Sequence, residues 1–153
     1  MFNLKNIIVP TDFSKLSLSA VEYASDLAEM MDATIHLIHV LENNPPFMSK
    51  RDSNISEEEL MKSLIGRTQI QLKEVSDEIK EDSSIRIVEI LRQGVDYEEI
   101  IKYSEEVKGD MIVIATHGRT GIFHTLLGSV AEKVIRYSKC PVLVISPQEE
   151  EVF

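Results

Sequence analysis

Gly118, Gly121, Gly128 and Ser129 lie between the apolar run Met111–Ala115 and the amphipathic run SVAEKVIRYS. Glycine-rich chain entering a helix offers bare backbone N–H groups and the positive end of a helix dipole, which suits an anion such as a phosphate. Ser129 with Glu132 three residues on has the spacing of a capping box, so Ser129 is the expected N-cap. The connection is about thirteen residues long where strand-to-helix loops usually take 2–6, and excess length of this kind usually serves a site.

Other residues capable of chemistry are fewer. Asp12, just after NIIVP, has the type and place of a helix cap. His36 and His39 are three apart on one strand, so they point to opposite faces and read as packed or hydrogen-bonded sheet residues, not a chelating pair. His117 and His124 sit in the glycine-rich loop, where each could touch a ligand or stand as an ordinary surface histidine. Cys140 is the only cysteine; it precedes the apolar run Pro141–Ile145 and reads as a half-buried structural thiol. No intrachain disulfide or multi-cysteine zinc site can form.

The elements that must position these residues alternate. Runs of β character occupy Asn6–Pro10, Thr34–Val40, Ile85–Leu91, Met111–Ala115 and Val142–Ile145. Helical spacing separates them. The first helix carries Leu18, Val21, Ala24, Leu27, Ala28 and Met31 on one face, with Ser14 or a neighbour as cap. The second opens on Ser56 and Glu59, a capping box, and continues through Met61, Leu64, Thr68, Leu72, Val75 and Ile79. The third begins at Asp96 with Glu99 as another capping pair and runs through Ile100, Ile101 and Val107; the fourth presents Val130, Val134 and Ile135.

Strict β–α alternation predicts an α/β fold, a parallel sheet with helices on both faces. The runs NIIVP, MIVIA and PVLVI are apolar enough for burial on both sides. Such sheets bind ligands beyond the carboxyl ends of their strands. The segment Glu42–Asn54, polar and aperiodic with paired prolines, is expected as a surface loop and candidate lid. Gly94, after the third strand, is expected to relieve backbone crowding.

Composition narrows the function classes. The chain has 153 residues, enough for one domain with a full core. Sixteen basic residues against 26 acidic ones give a net charge of −10, with no basic stripe to attract a nucleic acid. Apolar runs fall far short of the roughly 20 residues of a membrane span. The opening MFNLKNIIVP lacks a secretory pattern, so a cytoplasmic setting is expected. No GxxxxGK[ST] and no GxGxxG after the first strand occur, which excludes the Walker and dinucleotide-binding loops. The strand ends also lack the clustered carboxylates and the lysine of a phosphoacceptor receiver domain.

NIIVPTDFS, HVLE, DMIVIATHGRTG and LLGSVAEKVIRYSKCPVLVI together resemble the universal stress protein family, in order along nearly the whole chain. The resemblance implies a Rossmann-like, adenine nucleotide hydrolase-like fold of strand order 3-2-1-4-5, and a homodimer through Val142–Ile145. An apolar edge strand invites such a partner on independent grounds.

The ATP-binding branch carries Gly-x2-Gly-x9-Gly-Ser/Thr. Here the pattern runs from Ala115 through Gly118 to Gly128-Ser129, with alanine in place of the first glycine. If that position needs positive φ, alanine costs roughly 1–2 kcal/mol; if it needs only a small residue, the cost is slight. The resemblance implies that Pro10, Thr11 and Asp12 flank the adenosine, with Asp12 accepting from ribose or adenine, and that the Val40 backbone meets the adenine edge. It places Ala115, Gly118, Gly128, Ser129 and Val130 around the phosphates, with magnesium or manganese bridging them. Gly121 falls outside the pattern and reads as a turn glycine. The implied function is an ATP or adenine-nucleotide binding module of stress response or signalling. Two alternatives are a nucleotide-free dimeric interaction protein of the same fold and a weak ATP hydrolase. Arg119 and His117 lie near enough for the latter, but neither has an assigned catalytic role.

Overall fold

The computed structural model describes residues 3–43, 54–117 and 127–146. Within them five strands and four helices alternate: β1 (Asn6–Pro10), α1 (Lys15–Met31), β2 (Thr34–Leu41), α2 (Glu57–Glu81), β3 (Arg86–Gln93), α3 (Asp96–Glu106), β4 (Met111–Ala115), α4 (Ser129–Tyr137) and β5 (Val142–Ile145). All pairings are parallel and the sheet order is β3-β2-β1-β4-β5, the expected fold class. The chain reverses direction across the sheet between β1 and β4. Loops after those two strands therefore diverge and leave a crevice.

Strand alternation divides the core in two. Ile7, Val9, Ile35, Leu37, Val113 and Ala115 point to the face covered by α1 and α2. Ile8, Ile38, Ile112 and Ile114 point to the face covered by α3 and α4. Each fully buried isoleucine contributes about 1.5–3 kcal/mol, so the central strands anchor the fold. At the opposite end from the crevice, Asp110 Oδ2 accepts from the backbone N–H of both Lys5 and Asn6 at 2.8 Å, pinning β1 beside β4.

Several expectations needed correction. β2 continues to Leu41 and β3 runs from Arg86 to Gln93, because ladder pairing as far as Leu41 with Gln93 depends on backbone and not on apolar side chains. The PVLVI run is not buried on both sides: β5 is an edge strand, Val142 and Val144 are half-buried, and Leu143 is exposed. α1 buries Ser17, Ala20, Val21, Ala24 and Ala28, a smaller-residue face than the Leu18-centred stripe, and Leu18 and Leu27 only flank it. On α4 the buried residues are Ala131 and Val134, while Ile135 faces solvent. The stripe of α2 holds, with Thr68 and Leu72 buried and Val75 and Ile79 packed half-buried against the same core; Ser76, outside the expected stripe, is buried as well.

Capping follows sequence at two helices and departs from it at two. Ser14 caps α1, accepting from the Ser17 N–H at 3.3 Å. Ser56 and Glu59 form the capping box of α2. The pair Asp96 and Glu99 does not cap α3: Gly94, at φ 150°, turns the chain one residue early, and Val95 takes the N-cap position without a side-chain bond. Asp96 Oδ1 instead accepts from the Tyr97 N–H at 2.7 Å.

Candidate functional site

The carboxyl ends of β1, β2 and β4, with the starts of α3 and α4, enclose a cleft of about 460 Å³. That size lies within the range of small-molecule sites. Of the expected site residues, Pro10, Thr11, Asp12, Val40, Ala115, Gly128, Ser129 and Val130 all line it. Gly118, Gly121, Arg119 and His124 lie outside the described residues, as does most of the Glu42–Asn54 loop.

The β1–α1 loop forms one wall. Thr11 donates its backbone N–H to the Ile38 carbonyl at 2.9 Å, which extends the sheet one residue past β1. Phe13 then adopts the left-handed conformation at φ 64°, costly for a bulky residue and sustained only by its surroundings. A short relay holds it: the Phe13 N–H donates to Thr11 Oγ1 at 3.0 Å, and that oxygen lies 3.0 Å from Ser17 Oγ, which donates to the Ser14 carbonyl at 3.0 Å. The half-buried Asp12 accepts from the Ser14 N–H at 2.9 Å through Oδ1, so it supports the true cap, Ser14, and is not itself the cap.

The opposite wall is the start of α4. Ser129 is not the N-cap; Gly128 is, in extended geometry at φ −58° and ψ 151°, and no side chain among the described residues caps this helix. The cause is a close approach of backbone to backbone. The Gly128 N–H donates to the Thr116 carbonyl at 2.6 Å, and a Cβ on residue 128 would meet that same oxygen at 2.6 Å. Only glycine fits, which moves the serine into the first helical turn. The first-turn N–H groups of α4 thus have no intrahelical acceptors and, among the described residues, no side-chain cap, and the residues that carry them line the cleft.

Ala115 ends β4 opposite Ile145 with ordinary strand geometry. The non-glycine residues at positive φ among those described are Phe13, Asp32 and Lys108, so alanine carries no backbone strain there. His117 also lines the cleft, with Nδ1 2.9 Å from Thr116 Oγ1.

Sequence reasoning missed part of the lining. Leu64, Thr68 and Gln71 of α2 and Asp96 of α3 reach the cleft from opposite faces of the sheet. Asp96 follows a strand end and was findable on that ground; mid-helix residues such as Gln71 carry no local signal. His36 and His39 do point to opposite faces. His36 Nδ1 lies 2.8 Å from the Tyr103 hydroxyl and Nε2 3.1 Å from Asn6 Oδ1, on the α3 side. His39, on the α1 side, stacks on Phe13 and lines the cleft. Burial holds His36 below the usual histidine range. Cys140 is half-buried, with Sγ 3.5 Å from the hydroxyls of Ser104 and Ser138, as a structural thiol would be.

Among the described residues, no group of three or more His, Cys, Asp or Glu converges to hold a metal ion, and no helix is long and apolar enough to cross a membrane.

Comparison with known proteins agrees with this architecture. The family model described as "Universal stress protein family" matches residues 3–146. Universal stress protein MJ0531 of Methanocaldococcus jannaschii is 37% identical over 148 residues, covering 96% of this chain and 85% of that protein. The solved structure of MJ0577, from the same organism, superposes with a TM-score of 0.80 at 30% identity, covering 94% and 96% of the two chains. A universal stress protein solved in complex with cAMP superposes at 0.69 with 26% identity, covering 94% and 98%. With its sheet order, its strand-end cleft and a family match over nearly its full length, the chain belongs to the universal stress protein family.

Proposed function

We propose that the cleft binds an adenine nucleotide and that the protein is a nucleotide-responsive module of stress response or signalling. The observation that carries this reading is the start of α4 at Gly128, which has no side-chain cap among the described residues and whose first-turn N–H donors belong to Ser129, Val130 and Ala131, which line the cleft. In this reading those donors, with Gly128, Ser129 and Val130, hold phosphates; Gly118 belongs to the same set by its place in the motif. Ala115 supplies a small residue beside them, and its unstrained backbone removes the main objection to the alanine. Pro10, Thr11 and Asp12 flank the adenosine, with the Asp12 carboxylate accepting from ribose or adenine, and the backbone of Val40 meets the base. The cAMP held by a relative of the same family supports a nucleotide as the ligand class.

ATP with magnesium or manganese is the proposed form of the ligand. The cation enters on the phosphates, whose charge it offsets. Hydrolysis forms no part of the reading, since no side chain of the cleft has an assigned role in orienting water. We further propose a cytoplasmic homodimer formed along β5, whose exposed Leu143 leaves apolar surface on an edge strand. Mass spectrometry of the denatured purified protein should release an adenine nucleotide, and calorimetric titration should show binding of Mg·ATP or AMP. No binding at millimolar ligand would reject the nucleotide site. Light scattering should give twice 17.4 kDa; a monomer mass would reject the dimer.

A further inference from the structure

We infer that His39 is a positioning residue for the nucleotide site: it braces the β1–α1 loop and thereby sets where Asp12 stands in the cleft. The inference rests on the nucleotide reading for its functional consequence, but its structural basis is independent. His39 Nδ1 lies 2.7 Å from the carbonyl oxygen of Thr11. A carbonyl can only accept, so Nδ1 carries the proton and donates. The same ring stacks on Phe13, with centroids 4.8 Å apart and planes at 29°.

These two contacts fall on the residues immediately before and after Asp12. Thr11 is held through its carbonyl and Phe13 through its ring. The second contact bears on the one residue of the loop in left-handed geometry, at φ 64°. A non-glycine residue stays there only when its surroundings over-determine it. Releasing the ring frees Phe13 to relax towards negative φ, which would rotate the peptide that follows Asp12 and break the 2.9 Å bond from the Ser14 N–H to its carboxylate. β2 thus fixes the angle at which β1 hands over to α1, through a side chain that needs no contact with the ligand.

Two substitutions separate the contacts. His39→Asn can keep a donor where Nδ1 stood but loses the ring; His39→Phe keeps the ring and loses the donor. With Mg·ATP and AMP as probes, His39→Phe should weaken binding about fivefold, the worth of one neutral hydrogen bond, and His39→Asn, which releases the Phe13 ring, should weaken it at least as much. In an Asp12→Ala background His39→Phe should add nothing further, because residues acting through one another are not additive. Without ligand, amide exchange at Phe13 and Ser14 should quicken by a similar factor in His39→Asn, which lacks the ring, while the thermal midpoint changes little.

Unchanged affinity in His39→Phe overturns the inference, as does a loss that persists in the Asp12→Ala background. Equal losses in both variants with lowered midpoints would assign His39 to general stability and overturn it too. If the unaltered protein binds neither nucleotide, the nucleotide reading fails while the exchange measurement still decides the brace: quicker exchange sustains it and unchanged exchange removes it.

Discussion

Gly128→Ala is the substitution whose effect the geometry determines most directly. The added Cβ would sit 2.6 Å from the Thr116 carbonyl oxygen and 3.4 Å from His117 Cα, both backbone atoms that cannot rotate aside. Ordinary contact with that oxygen begins near ~3.4 Å, so one strand of the approach must retreat by roughly 0.8 Å. Overpacking of this kind costs about 1–3 kcal/mol. The bond from the Gly128 N–H to Thr116 would stretch as well, adding about 1 kcal/mol. Because the same movement carries the first turn of α4 away from the cleft, Mg·ATP affinity should fall tenfold or more, or about 1.4 kcal/mol. Gly66→Ala is the control: it lies inside α2, its Cβ would meet no atom within 4 Å, and it should gain about 0.5–1 kcal/mol from reduced chain entropy. Urea unfolding with an unchanged m-value reads the stabilities, and calorimetric titration reads the affinities. Wild-type stability and affinity in Gly128→Ala would refute the close-approach argument, and so would an equal loss in Gly66→Ala.

Further outcomes follow from the same structure. Ser76 Oγ is buried on α2 without a hydrogen-bond partner among the described residues, so Ser76→Ala should leave stability unchanged or raise it by up to about 1 kcal/mol in urea unfolding; a clear loss would mean the hydroxyl is satisfied in solution. Ser129→Ala should shift stability by less than about 0.5 kcal/mol, because Ser129 is exposed within the helix and not its cap; a larger loss in thermal unfolding would restore the cap. His36 should make stability fall on acidification. Asn6 Nδ2 donates to the Val107 carbonyl, so its Oδ1 takes the proton on His36 Nε2, and Nδ1 is left to accept from the Tyr103 hydroxyl. A second ring proton must be buried where an acceptor already works, beside Tyr103 over which the Arg92 guanidinium lies. With its folded pKa lowered, His36 contributes stability that is full above the unfolded value near 6.5 and is lost as pH falls from there towards the folded value. Histidine-resolved NMR titration should show a His36 midpoint below that of an exposed histidine; a normal midpoint would refute the arrangement.

Much of this was legible from local pattern. The runs NIIVP and MIVIA and the Ser56–Glu59 box are signals carried within a few residues, and each appears where the spacing placed it. The starts of α3 and α4 fall at Asp96 and Ser129 as read, but their caps were misread for one shared reason: a serine or aspartate with glutamate three on looks like a cap, whereas the residue before it takes that place. At α4 the deciding contact is with Thr116, twelve positions back, and no local pattern records it. Gln71 and Asp96 line one cleft only because the sheet order brings their helices to one end.

The small residues along α1 have a consequence for how distant changes reach the site. Ser17, Ala20, Ala24 and Ala28 let the helix lie close against the sheet, and its amino end is the hinge from which the Asp12 loop hangs. A helix is stiff, and Ala28 stands about 21 Å along its axis from the cap at Ser14. Extra volume beneath Ala28 would act as a wedge under one end of a lever, tipping the other end. Substitutions that look like remote packing defects, such as one at Ala28, can therefore retune the ligand's surroundings from the far end of the helix.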